Sequence, residues 1–246
     1  MSVIRAYIGL GTNVGDRAAH LSAAVAALSA TPGVRVVAVS PIRETSPVGG
    51  PPSQGAFLNA AASLDTTLTA EQLLATLHRI EAGADRLRTV RWGERTLDLD
   101  LLLLGNEVRS GPDLVLPHPR MTVRRFVLYP LAAIAPDAVE PVTGLTVGAL
   151  LQNLDRRPSH VSVLAPAGPT RDQTLARLSQ ALGRDWLFSL WKESEQATAP
   201  DPPTFVASVR PSVVGRSEVP VVPIEPGDPE AMAAEILAAC AATREG

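Results

Sequence analysis

The order in which two hydrophobic periods alternate over the first 104 residues restricts the fold more than any other property of this chain. VIRAYIGL (3–10) is a short apolar run closed by Gly11, as a strand would be. After Asp16, Leu21, Val25 and Leu28 recur at helical spacing until Pro32 and Gly33 stop the helix. VRVVAVSPIRET (34–45) is rich in β-branched residues and reads as a second strand. A Pro/Gly-rich loop, SPVGGPPSQG, leads into a third extended segment, FLNAAASLDTT (57–67). Thr69 and Gln72 then have capping-box spacing ahead of a helical stripe of Leu73, Leu77 and Ile80. An arginine-rich loop precedes a fourth strand, TLDLDLLLL (96–104). The sum, β-α-β-β-α-β, is the split βαβ arrangement: an α+β sandwich with two helices over one face of an antiparallel sheet.

Past about Pro158 the character changes. HVSVLAP (160–166) reads as a strand, Pro169 with Thr170 and Gln173 opens a helix, and short strand candidates lie near 186–191, 204–209 and 219–224. Asp228-Pro229 caps a last helix carrying Met232, Ile236 and Cys240 on one side. The expected division is a domain over 1–157 and a small α/β extension over 158–246.

A hydrophobic fraction of 46% against 19% charged residues is that of a globular protein able to bury a core. The net charge of -3 offers no global attraction to nucleic acid or anionic lipid, so any anion site must come from local clustering of arginines. A lone cysteine, Cys240, excludes an intrachain disulfide and reads as a buried small hydrophobe. With no signal-like N-terminus and no stretch of roughly 20 apolar residues, the expected location is the cytoplasm.

Chemistry concentrates on the fourth strand. Strand periodicity puts Asp98 and Asp100 on one face, roughly 7 Å apart. Two like charges so close need a cation, and hard carboxylate oxygens suit Mg²⁺, which completes its shell with phosphate oxygens and water. Arg86, Arg88, Arg91 and Arg95 precede the pair, and His118, Arg120, Arg124 and Arg125 follow it. Guanidinium forks around metal-holding carboxylates point to a polyphosphate site. One or two of the seven arginines are expected to make only surface ion pairs, with Asp85 and Glu94. GLGTNVGD (9–16) lacks the GK[ST] ending of a P-loop and is not GxGxxG, so it reads as a structural turn and helix start without a catalytic role.

YIGLGTNVGDR, RETSPVG, FLNAA, RWGERTLDLDLLL, LPHPRM and RRFVLYPLAAIAPD, in that order and spacing, resemble the 6-hydroxymethyl-7,8-dihydropterin pyrophosphokinases over about 155 residues. The resemblance implies a ferredoxin-like fold and transfer of the β,γ-pyrophosphoryl group of ATP to the pterin hydroxymethyl oxygen, with release of AMP, in folate biosynthesis. It implies that Asp98 and Asp100 bind two Mg²⁺ ions, that Arg95, His118 and Arg124 contact ATP, and that Arg86 and Arg88 lie on a loop closing over it. For the pterin it implies stacking between Phe57 and Phe126, polar contacts from Asn59 and from the backbone around Thr45, Pro47 and Val48, and a lid role for Trp92. Two features depart from the family pattern. EAGADRLRTVRWG is about one residue short, with Asp85 where the family often has Gly, and the C-terminal extension is additional.

Two other readings compete. An RNA-binding module would use the same sheet, but only 4% of residues are aromatic and the strand that would form its central platform is acidic. A fusion to a second folate-pathway enzyme is limited by size, since the extension is far shorter than the roughly 250 residues of a (β/α)₈ barrel. The extension is therefore expected to serve interaction or self-association, and the partners to be small molecules rather than nucleic acid or membrane.

Overall fold

The computed structural model describes residues 2–48, 54–84, 95–156, 159–182, 186–190, 203–209 and 219–244. Strand β1 (Ile4–Thr12) is central in the first sheet, pairing antiparallel with β4 (Phe57–Thr66) on one side and β5 (Asp98–Leu104) on the other. Beyond β4 lie β2 (Val34–Val39) and the short β3 (Arg43–Thr45), giving the order β2-β4-β1-β5 with β3 also on β4. Residues 34–45 are thus two strands rather than the single one expected. Ser40-Pro41-Ile42 breaks them because Pro41 has no N–H for the ladder, and Ser40 accepts from Ala61 N–H through its hydroxyl instead.

Helix α1 (Arg17–Ser29) starts at Asp16, whose carboxylate accepts from Ala19 N–H, and ends before Gly33. Gly33 has φ +81°, and a Cβ there would stand 2.7 Å from Thr67 Oγ1, so only glycine makes this turn into β2 without strain. Helix α2 (Ala70–Gly83) carries the expected capping box between Thr69 and Gln72. The two helices cover one face of the sheet, burying Leu21, Leu28, Leu73 and Leu77 against Ala6, Ile8, Leu10, Leu99 and Leu101.

The opposite face is partly covered as well. Helices α3 (Arg125–Ala132) and α4 (Val147–Asp155) pack there with a 3-10 turn at Met121–Val123, over Tyr7, Ala61 and Leu102. Strand β5 is the sheet edge, but that edge is not open. Leu99 N–H donates to Glu81 Oε1 of α2 at 2.8 Å, and Leu102 carbonyl accepts from His118 N–H at 2.9 Å. Two carboxylates roughly 7 Å apart on one strand repel by about 2 kcal/mol at an effective dielectric of 20. Each buried leucine of the same strand contributes roughly 1.5–3 kcal/mol, so packing decides that β5 forms.

A ribbon of β6 (Arg109–Ser110) and β7 (Val115–Leu116) follows. The C-terminal part forms a second, parallel sheet of order β11-β10-β8-β9, from β8 (Ser159–Leu164), β9 (Trp186–Leu190), β10 (Phe205–Ser208) and β11 (Val221–Pro223). Helices α5 (Pro169–Ala181) and α6 (Pro229–Ala242) share its core with Val161, Phe205 and Val222. Cys240 lies in that core, where burial pushes its thiol pKa up to about 12, so it behaves as a small hydrophobe.

Candidate active site

Strand alternation builds the site. Leu99 and Leu101 of β5 point to α1 and α2, and so Asp98 and Asp100 point to the opposite face. There Asp98 is paired with Gly11 and Asp100 with Gly9, while Asn59 of β4 faces Gly11 from the other side. Opposed residues of an antiparallel pair share a face, so Gly9, Gly11, Asn59, Asp98 and Asp100 form one patch. Helices α3 and α4 cover the Tyr7 and Leu102 end of this face and leave the glycine end free.

The result is a cleft of about 760 Å³ with those five residues among its lining. Gly9 and Gly11 belong to β1, not to the turn expected from GLGTNVGD, and their missing side chains make its floor. A Cβ on Gly11 would sit 3.3 Å from Asn59 Oδ1. The chain from Thr45 to Val48, Gln54 and Phe57 supplies further lining, as do Arg95, Arg124, Phe126 and Val127. Asn59 Nδ2 donates to Thr45 Oγ1 at 2.8 Å, which fixes the amide and leaves its oxygen free of that bond.

Of the residues expected at the site, Thr45, Val48, Phe57, Asn59, Arg95, Asp98, Asp100, Arg124 and Phe126 all line this cleft. Pro47 is half-buried between two lining residues. Arg86, Arg88 and Trp92 lie outside the described residues. His118 stands on the other side of the carboxylates, in an adjoining depression of about 580 Å³ that also contains Asp98, Asp100 and Glu81. The acid pair is therefore a wall common to two hollows.

Each acid faces a cation. Asp98 forms a salt bridge with Arg95, and Asp100 Oδ2 lies 3.7 Å from Arg124 Nη1 and 3.8 Å from His118 Nε2. Burial pushes the His118 pKa down to about 4, with Asp100 opposing the fall and Arg124 and Arg120 adding to it. The ring is neutral at pH 7. Its Nδ1 accepts from Arg120 N–H at 3.2 Å, so its proton sits on Nε2, facing Asp100. Burial also draws the Arg124 guanidinium below its ordinary range, against the pull of Asp100.

Among the described arginines, Arg120 and Arg125 line neither hollow. Arg120 Nη2 bonds Glu235 Oε2 at 3.0 Å, and Arg125 bonds Asp155 at 2.6 Å and the Thr243 carbonyl at 3.0 Å. These are ties to α6 and α4; Asp85 and Glu94, the expected partners of surface ion pairs, lie outside the described residues. Asn13, in the segment given no catalytic role, proves to hold Arg95. Its backbone N–H donates to Arg95 carbonyl at 3.0 Å and its Oδ1 accepts from Arg95 N–H at 2.7 Å.

The donor set fits Mg²⁺. Two hard carboxylates, 17% and 32% exposed, open on a cleft rimmed by guanidinium groups. No cluster of three or more His, Cys, Asp or Glu exists among the described residues, as an all-protein cage for a larger cation would need.

A family model described as 7,8-dihydro-6-hydroxymethylpterin-pyrophosphokinase matches residues 7–136, more than half of the chain. The chain belongs to this family. All the cleft residues fall inside the match, and the parallel sheet falls outside it. The 2-amino-4-hydroxy-6-hydroxymethyldihydropteridine pyrophosphokinase of Methylorubrum extorquens is 50% identical over 151 residues, covering 61% of this chain and 94% of the relative. That of Pseudomonas aeruginosa is 46% identical over 133 residues, covering 54% and 82%. A crystal structure of wild-type Plasmodium falciparum HPPK-DHPS with pteroate aligns over 85% of this chain and 65% of its own at 11% identity and a TM-score of 0.48, too distant for any inference about the pyrophosphokinase site. No helix among the described residues is long and apolar enough to cross a membrane.

Proposed function

We propose that this chain transfers the β,γ-pyrophosphoryl group of ATP to the hydroxymethyl oxygen of 6-hydroxymethyl-7,8-dihydropterin, giving AMP and the pterin diphosphate in folate biosynthesis. Family membership carries the reaction. The observation that supports its placement is the acid pair standing between two hollows, as a bisubstrate transfer requires. The pterin takes the glycine-floored cleft, with Phe57 and Phe126 against its ring, Asn59 and the Thr45–Val48 backbone on its polar edge, and Trp92 at its lid. ATP takes the His118 side.

Asp98 and Asp100 hold two Mg²⁺ ions, which when bound neutralise the triphosphate and acidify the attacking hydroxyl. Arg95 and Arg124 exchange their carboxylate partners for phosphate oxygens as the nucleotide enters, so the site's cations are kept oriented in advance. His118, neutral with its proton on Nε2, donates a hydrogen bond without adding charge. Arg86 and Arg88 close over the phosphates and exclude water. No strong general base is needed, since phosphoryl-type transfer depends mostly on alignment and charge stabilisation.

The antiparallel order β2-β4-β1-β5 supports a ferredoxin-like, split βαβ unit over 1–157, to which 158–246 is added. A cytoplasmic location is consistent with the absence of a spanning helix among the described residues. Incubation of the purified chain with ATP, Mg²⁺ and the hydroxymethyl dihydropterin is expected to release AMP. Release of ADP, or no pterin-dependent turnover, contradicts the proposal.

A further inference from the structure

Residues 118–126 face two ways. His118, Arg124 and Phe126 face the hollows around Asp100, whereas Arg120, Val123 and Arg125 face the C-terminal sheet and its helices. Val123 is 1% exposed and belongs to the apolar cluster of the C-terminal part, together with Phe205, Met232 and Ile236. Met121, two residues earlier, belongs to the cluster under α3 and α4. One 3-10 turn is thereby clamped between two cores.

We propose that Glu235 of α6 is a positioning residue for the nucleotide side of the site, acting on His118 through Arg120. This rests on the pyrophosphokinase reading above and extends it to the added C-terminal part. Glu235 Oε2 accepts from Arg120 Nη2 at 3.0 Å, with side-chain exposures of 8% and 17%. The same oxygen accepts from Glu225 N–H at 3.3 Å, which holds the carboxylate in place. Arg120 N–H in turn donates to His118 Nδ1 and so selects the tautomer that presents Nε2–H toward Asp100. The path is continuous, from α6 carboxylate to guanidinium, to backbone amide, to imidazole.

Docking of the two parts does not depend on this pair alone. Val123 supplies apolar burial, and Asn153 Nδ2 donates to Thr204 carbonyl at 2.9 Å. The contribution particular to Glu235 is to hold Arg120 away from Arg124, whose like charge repels it. Without that acid the half-buried guanidinium loses the partner that ties it to α6, and the amide that orients His118 shifts with it.

The test uses the full chain and three variants: Glu235→Gln, Arg120→Met, and the double variant that combines these two substitutions. KM for ATP, KM for the pterin, kcat and thermal unfolding are measured for each. Glu235→Gln keeps the shape of the side chain and folds; it is expected to raise KM for ATP about tenfold with KM for the pterin within about twofold. The double variant is expected to be no worse than the worse single one, because both singles break one link. An unchanged KM for ATP, equal rises in both KM values with a lowered melting temperature, or additive losses in the double variant each overturn the positioning role. A wild-type chain that releases no AMP is a separate result, overturning the pyrophosphokinase reading itself.

Discussion

His118 presents its Nε2 to Asp100 Oδ2 across 3.8 Å, in a pocket that disfavours the imidazolium enough to bring its pKa to about 4. A histidine in the unfolded chain titrates near 6.5. As pH falls below that value the unfolded state takes up a proton that the folded state refuses until about pH 4, so stability is full above 6.5 and declines through this window. The expected decline attributable to His118 is on the order of 3 kcal/mol. Urea midpoints taken at steps from pH 7 to 4 at constant ionic strength should fall more steeply for the wild type than for His118→Gln. Parallel curves would contradict the burial argument.

Asp98→Asn and Asp100→Asn remove charge while conserving shape. If the pair holds the metal, each substitution lowers AMP formation by about a thousandfold or more, since Lewis-acid stabilisation of the transition state is worth several kcal/mol. Stability should change by no more than about 1 kcal/mol, because both carboxylates open on the cleft and neither fills core volume. Turnover near the wild-type rate in either variant would remove the metal from this strand.

Most of the first sheet could be read from sequence because α1, α2, β1 and β5 each sustain one hydrophobic period over several residues. The second helical layer could not. Helix α3 is eight residues long with Pro130 inside it, and α4 is nine, too short for periodicity to stand out. A signal did exist: NAAASL in β4 has small or apolar residues and no charge on either alternation, and Asn59 to Leu64 are all buried, as a strand covered on both faces must be. The i,i+2 acids were legible because strand geometry alone brings them together. Asn13 and Arg95, separated by 82 positions, and Arg120 and Glu235, separated by 115, meet only through the fold, and no local period marks them.

The glycine floor makes a prediction that separates the two substrates. In Gly11→Ala the new methyl stands 3.3 Å from Asn59 Oδ1 and 3.9 Å from Asp98 Cβ, inside the cleft. Asn59 must give way, disturbing its bond to Thr45 where the pterin edge is read. KM for the pterin is expected to rise about tenfold while KM for ATP stays within about twofold. Steady-state kinetics with each substrate varied decides, and equal rises in both would place Gly11 outside the pterin subsite.

Glu81 supports the acid pair from behind. It is 3% exposed, and its Oε1 accepts the N–H of Leu99, the residue between Asp98 and Asp100, at 2.8 Å. Glu81→Ala leaves that edge amide without its acceptor and is expected to cost about 2 kcal/mol, within the range for a buried donor left unsatisfied. The backbone that sets the spacing of the two carboxylates then loses its fixed point, so kcat should fall by at least the tenfold that a loosened metal ligand typically brings. Glu81→Gln retains an amide oxygen at the same reach and should recover most of both losses. Melting temperature and kcat measured on the pair of variants check this, and a Gln variant as impaired as Ala would mean that the charge of Glu81, rather than its bond to Leu99, is what the strand requires.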